Sequence, residues 1–174
     1  MPVITPPDAE VFQPANFFTG YPKGELVGGV GHLAVTYKLT SAQLLALPGT
    51  IVQLVPAPGL APKGLGSSIV LIPTRLVLQY LFNTTAYTLG NADNKFQIEY
   101  TGKSTALIQA ACAGTVDQIV NEYITAGAIA AGILAQTAVA NLGLEVTLVG
   151  TAPALTLGDG TVVLTLMYDV VVLQ

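Results

Sequence analysis

From His32 to Leu39 the side chains alternate, with Leu33, Val35, Tyr37 and Leu39 on one side and His32, Ala34, Thr36 and Lys38 on the other. A period of two predicts a half-buried strand. Thr40 then stands three residues before Gln43, ahead of Leu44, Leu45 and Leu47. That is capping-box spacing, and it predicts one or two helical turns ended by Pro48-Gly49. Thr50 to Val55 reads as a second strand, and Pro56 to Gly66, rich in proline and glycine, reads as an exposed loop.

The longest β-like run is Ser68 to Phe82. Val70, Ile72, Leu76, Leu78, Tyr80 and Phe82 share one phase and Ile69, Leu71, Val77 and Leu81 the other, so both faces read as apolar. Pro73 lacks a backbone donor and predicts a bulge or an edge near the start of the run. Asn83 to Asn94 is turn-rich. Lys95 to Thr101 alternates again, and its polar set, Lys95, Gln97, Glu99 and Thr101, is expected to meet water. Thr105 to Ala113 is β-capable. Val116, Ile119, Val120 and Tyr123 fall at helical spacing, which leaves a short helix open in a stretch otherwise read as strands and loops. Leu144 to Val149 reads as a strand, Gly158-Asp159-Gly160 as a tight hairpin turn, and Thr161 to Leu173 as the closing strand. In that strand Val162, Leu164, Leu166, Tyr168, Val170 and Val172 share a face, while Val163, Met167, Val171 and Leu173 dilute the other, so both sides again look covered.

About eight strands with turn chemistry between them and no alternating βαβ units predict an all-β fold. The expected form is a two-sheet antiparallel sandwich, jelly-roll-like, with at most one or two short helices. It occupies residues 32–174. Residues 1–31 carry Pro2, Pro6, Pro7, Pro14 and Pro22 and the aromatic trio Phe12, Phe17 and Phe18 without periodicity, and they predict an extended N-terminal arm whose aromatics need a docking surface.

Composition sharpens the functional reading. Apolar residues make up 52% of the 174 and charged residues only 9%, against roughly 25% charged in an ordinary soluble domain. A surface so poor in charge is expected to be covered by other subunits. The net charge of −4 is spread without basic runs, so nucleic acid is not an expected partner. Ala126 to Ala140 is too short and too rich in small residues to predict a membrane span. Met1 to Glu10, with prolines and acids, does not read as an export signal.

Chemistry is sparsely supplied. His32 and Cys112 are the single imidazole and the single thiol, too few for a zinc site, and no orienting motif joins them as base and nucleophile. Cys112 reads as a small core hydrophobe. Gly28-Gly29-Val30-Gly31 leads into a strand rather than a helix, so it is no phosphate loop. No cofactor, metal or catalytic residue is expected. Facing carboxylates drawn from Glu99, Glu145 and Asp169 are what a glycan-active enzyme would require.

The segment Leu39 to Leu47, then Val77-Leu78-Gln79-Tyr80 with Asn83-Thr84-Thr85-Ala86-Tyr87, and the closing Gly158-Asp159-Gly160-Thr161 before Tyr168 together resemble small virion structural proteins of tailed bacteriophages. Some of these are jelly-roll cement, or decoration, proteins that sit as trimers on the capsid exterior. The resemblance covers about Leu39 to Leu173 and leaves the arm outside. It implies a non-enzymatic protein, made in the host cytoplasm, that bridges subunits of the major capsid protein as a homotrimer. The alternative is a trimeric receptor-binding knob or a tail- or fibre-associated sandwich. On the cement reading the expected contacts are Phe12, Phe17 and Phe18 as arm anchors, and Val163, Met167 and Val171 on the second face of the last strand.

Overall fold

The alternation that begins at His32 is realised as a strand, β1 (Val30–Leu39), in a computed structural model that describes residues 30–47, 49–58, 68–129 and 136–173. The expected arm lies outside the described residues except for Val30 and Gly31, which already belong to β1. Phe12, Phe17 and Phe18 lie outside them as well.

The chain continues through α1 (Ser41–Ala46), β2 (Val52–Val55), β3 (Ser68–Leu81), β4 (Thr88–Leu89), β5 (Lys95–Tyr100), β6 (Ile108–Ala111) and β7 (Glu122–Gly127). Then follow α2 (Gln136–Val139), β8 (Leu144–Val149), β9 (Leu155–Thr156) and β10 (Thr161–Leu173). One four-stranded sheet has the order β1-β10-β3-β7 and the other β2-β8-β5-β6, while β4 and β9 form a separate small pair. All strand pairs are antiparallel. Numbered among the eight longer strands alone, the sheets read 1-8-3-6 and 2-7-4-5. That order is the jelly roll, two interleaved Greek keys.

Between the sheets lies a core free of charged residues on its inward positions. Tyr80, Tyr168 and Phe96 are its largest fully buried side chains, with Leu39, Leu54, Leu71, Leu76, Leu78 and Ile98 around them. α1 forms as its capping box predicts. The Gln43 backbone N–H donates to Thr40 Oγ1 at 3.3 Å and the Thr40 N–H donates to Gln43 Oε1 at 2.9 Å, while Leu44 plugs the core.

Pro73 does place a bulge. Met167 pairs with Arg75 but Tyr168 pairs with Pro73, so Thr74 is the extra residue, and its hydroxyl donates to the Met167 carbonyl at 3.1 Å. This corrects the assignment of Val70 and Ile72 to one phase with Leu76, Leu78 and Tyr80. An inserted residue reverses the phase, so Ile69 and Leu71 before the bulge point inward together with Leu76, Leu78 and Tyr80 after it. What remains outward is mixed: Val70, Ile72, Val77 and Leu81 with the exposed Arg75 and Gln79. β7 pairs only with Arg75 to Tyr80, so the first half of β3 is an edge. There Asn141, in the left-handed region at φ 59, takes up both the N–H and the carbonyl of Ile69, and Tyr100 Oη donates to the Leu71 carbonyl at 2.7 Å. The exposed ladder is thereby closed to other strands.

Two further expectations are corrected. Val116, Ile119, Val120 and Tyr123 do not form a helix: Val116 is buried in a turn, Ile119 and Val120 are exposed in the connection, and Tyr123 lies on β7. Gly158-Asp159-Gly160 is no hairpin, since β9 pairs with β4 and β10 with β1 and β3. The two glycines are there for space. A Cβ on Gly158 would fall 2.3 Å from the Tyr87 ring, and one on Gly160 2.5 Å from the Tyr80 ring.

Candidate functional surfaces

The outer face of the β2-β8-β5-β6 sheet carries the polar side chains that alternation assigns to it; Lys95 and Gln53 are exposed, but the middle of the face is not wet. Gln97, Glu99, Glu145 and Thr147 are all buried, because the connection after β5 folds against them. Glu99 stands opposite Glu145 in the β5–β8 register. Gln109 Nε2 donates to Gln97 Oε1 at 2.7 Å, Gln97 Nε2 donates to Glu99 Oε2 at 2.6 Å, and the Gly102 N–H donates to Glu145 Oε1 at 3.0 Å. Burial pushes the Glu99 carboxyl above the usual carboxylate range. The Gln97 hydrogen bond opposes that rise and the Glu145 charge adds to it.

Two of the three acids that sequence reasoning weighed for glycan chemistry therefore meet, while Asp169 lies on β10 of the other sheet, opposite His32 in register. His32 lies on β1 of one sheet, and Cys112 directly follows β6 of the other. Burial pushes the Cys112 thiol up to about 12, so it is a core side chain and not a nucleophile at ordinary pH. Among the described residues no cluster of three or more His, Cys, Asp or Glu could hold a metal ion, and no helix is long and apolar enough to cross a membrane.

Val163, Met167 and Val171 do share one face, the outer side of the β1-β10-β3-β7 sheet. Met167 is 37% exposed and the two valines are half-buried. Their neighbours across the register are not uniformly apolar: Lys38 and Gln79 flank Val163, Thr36 and Val77 flank Thr165, and Ala34 and Arg75 flank Met167. Thr36 and Thr165 share a hydrogen bond between hydroxyls at 3.1 Å.

A second surface escaped sequence reasoning. Leu39, Val162, Tyr80 and Glu122 form one row across the first sheet, and the connections 40–51, 82–94, 112–121 and 150–160 all leave the sandwich at that end. Hydrogen bonds staple three of them, 82–94, 112–121 and 150–160, together. Asp159 accepts hydrogen bonds from the backbone of Thr84 and Thr85 at 3.0 and 2.8 Å, from Asn83 Nδ2 at 2.9 Å and from the Thr84 hydroxyl. These donors, the Thr84 hydroxyl foremost, bring its pKa down to about 2. Asp93 accepts from the N–H and hydroxyl of Thr151, which lowers its pKa in the same way. Tyr87 Oη donates to the Gly160 carbonyl at 2.8 Å and Asn121 Oδ1 accepts from the Phe82 N–H at 2.9 Å.

At this end Leu45, Ile51, Ile119, Val120 and Leu157 are exposed, while the exposed Tyr123 lies on β7, on the outer sheet face in one row with Lys38, Val163 and Gln79. Leu157 also holds a left-handed backbone at φ 69. The signal that could have found this end is the glycine-rich Leu157-Gly158-Asp159-Gly160 run, which the hairpin reading absorbed.

No protein-family model matches the chain, and no curated protein matches it in sequence. Among solved structures it is similar to a chain of the cyanophage Pam1 capsid asymmetric unit, at 13% identity and a TM-score of 0.43, covering 86% of this chain and 90% of that one. It is also similar to a chain of the capsid of Ralstonia phage GP4, at 16% identity and a TM-score of 0.35, covering 84% and 88%. A third likeness is to a chain of Mud crab tombus-like virus, at 9% identity and a TM-score of 0.28, covering 92% and 98%. The jelly-roll assignment rests on the strand order of the two sheets.

Proposed function

We propose that this chain is a non-enzymatic structural protein of a bacteriophage particle, a jelly-roll cement subunit that attaches to the outside of the capsid and self-associates, as a trimer. Jelly rolls serve either through what they enclose or through what their surfaces touch. The observation that carries the proposal is where this sandwich keeps its apolar matter. Its interior is filled by tyrosine, phenylalanine and aliphatic side chains, and nine further large apolar side chains stand exposed among the described residues. A chain built this way acts by contact. A cement protein needs that property, since it ties shell subunits together by covering apolar surface shared between them.

Mass spectrometry and cryo-electron microscopy of purified particles whose genome encodes the chain test the proposal. The expected result is stoichiometric protein in the particle and three-fold density outside the shell. Absence from purified particles, or density confined to a tail fibre tip together with saturable binding to host cells, overturns it, the latter in favour of a receptor-binding knob.

A further inference from the structure

We infer that the open edge of β1 is the docking site of the chain's own residues 18–27, which turn back at Gly28-Gly29 and add a fifth strand to the β1-β10-β3-β7 sheet. The inference goes beyond the proposed function and is independent of it.

β1 offers a long, bare edge. It runs ten residues without a proline or a bulge and ends its sheet, with β10 on one side and no strand on the other among the described residues. The Met167 carbonyl is turned towards β3, where it accepts from the Thr74 hydroxyl, so Met167 and Ala34, opposite each other in register, exchange no backbone hydrogen bonds. The 3.1 Å bond between the Thr36 and Thr165 hydroxyls fits the close approach of side chains in pairs of that kind. By alternation, the backbone N–H and carbonyl groups of Ala34, Thr36 and Lys38 all face the open edge. Such an edge is a template for another strand. The edge on the first half of β3 is closed by Asn141 and Tyr100.

Turn chemistry selects the occupant. Val27-Gly28-Gly29-Val30 has the two-glycine centre that a two-residue hairpin turn favours, between two β-branched residues. β1 pairs with β10 from Val30 onwards, directly after that turn. A two-residue turn sets the register. Val27 comes opposite Val30, and the hydrogen-bonded pairs that follow include Lys23 with Ala34, Tyr21 with Thr36 and Thr19 with Lys38. Those are the β1 residues whose backbone groups face the open edge. Pro22, which has no N–H to donate, falls opposite Val35 at a position that needs none.

Side-chain pattern and charge agree with that register. Lys23 and Glu25, the charged residues of the segment, fall on the outer face, while Phe18, Pro22 and Leu26 fall on the inner one. Gly20 and Gly24 come opposite Tyr37 and Leu33, the two half-buried inward side chains of β1, and leave them room. Neither charge meets one of its own sign, since Glu25 comes opposite His32 and Lys23 opposite Ala34. The docked segment makes β1 an interior strand. Phe18 then takes an inward place opposite Leu39, and residues 1–17, with Phe12 and Phe17, are the length left to reach a neighbouring subunit.

The test uses the full chain. With Lys23→Cys and Ala34→Cys together, mild oxidation should close a disulfide within one chain, since a hydrogen-bonded pair holds its Cα atoms about 5.5 Å apart. Cys112 is buried and stays out of the reaction. Lys23→Cys with Lys38→Cys, on the same face but out of register, should close at least about tenfold more slowly. Disulfide-linked dimers would make a second copy the occupant and overturn the inference, and equal closure of the two pairs overturns it as well. Amide exchange by NMR gives a second reading. Ala34, Thr36 and Lys38 should exchange roughly a hundredfold more slowly than open amides. Gly28→Val with Gly29→Val should remove that protection and leave Leu33, Val35 and Tyr37, whose N–H groups go to β10, protected. Fast exchange at Ala34, Thr36 and Lys38 in the parent overturns the inference, as does protection that survives the two valines, which would give the edge to another partner. Should the valines unfold the chain, the cysteine pairs decide alone. Absence of the chain from phage particles defeats the proposed function and leaves this inference standing.

Discussion

At the scale of single residues, two kinds of glycine are distinguished by what surrounds them. Gly102 sits at φ +73 with open space where a Cβ would be, so its role is conformational. Gly158 has no such backbone, and its missing side chain makes room for the Tyr87 ring, whose hydroxyl closes on Gly160. Gly158→Ala must push that ring and break its hydrogen bond. Urea denaturation should show a loss of about 1–3 kcal/mol, the range of overpacked cores, whereas Gly102→Ala should cost about 1–2 kcal/mol from backbone strain alone. The sequence motif is legible, but its meaning is not: turn chemistry and close packing both ask for glycine, and only the position of Tyr87 separates them.

At the scale of elements, the clearest consequence is the β5–β8 pairing that sets Glu99 beside Glu145. Like charges directly opposite on one sheet face are destabilising. The Glu99 carboxyl is raised by burial and by that charge. A carboxyl raised in the folded state contributes stability that is full below its unfolded pKa and is lost as pH rises through the folded one. Glu99→Gln, which keeps an acceptor for Gln97, should therefore stabilise the protein at pH 7 and remove part of the loss of stability seen between acidic and neutral pH. Unchanged melting temperatures across that range in the variant and parent would refute this. Alternation alone places Glu99 and Glu145 on an outward face. It does not say which strands are neighbours, and so it does not foresee that the two carboxylates oppose each other or that the Gly102 and Ser104 backbone reaches that face.

The same limit explains β3. Pro73 announces an irregularity, yet whether it is a bulge depends on the partner strand, since a bulge is a mismatch of two residues against one. Read without β10, the run looks greasy on both sides. Read with it, Thr74 absorbs the phase change, so that Ile69 and Leu71 fall on the inner face together with Leu76, Leu78 and Tyr80.

At the scale of the whole molecule, a charge-poor chain with nine large apolar side chains exposed among the described residues should behave as an apolar associator. Its apparent melting temperature should rise with protein concentration, because association binds the native state alone. Added sulfate should strengthen association where an ion-paired interface would weaken with salt. Light scattering and melting across both series check this, and an oligomer that dissociates with rising salt would point to a charged contact instead.

The sequence by itself determined the all-β class, the position of most strands, the capped helix α1 and the poverty of charge, because each follows from local periodicity or from composition. Only the tertiary structure decided the bulge, the carboxylate pair and the placing of Leu45, Ile119 and Leu157 at one end. Those depend on residues far apart in the chain being brought together by strand order, and a period of two carries no information about which strand lies beside which.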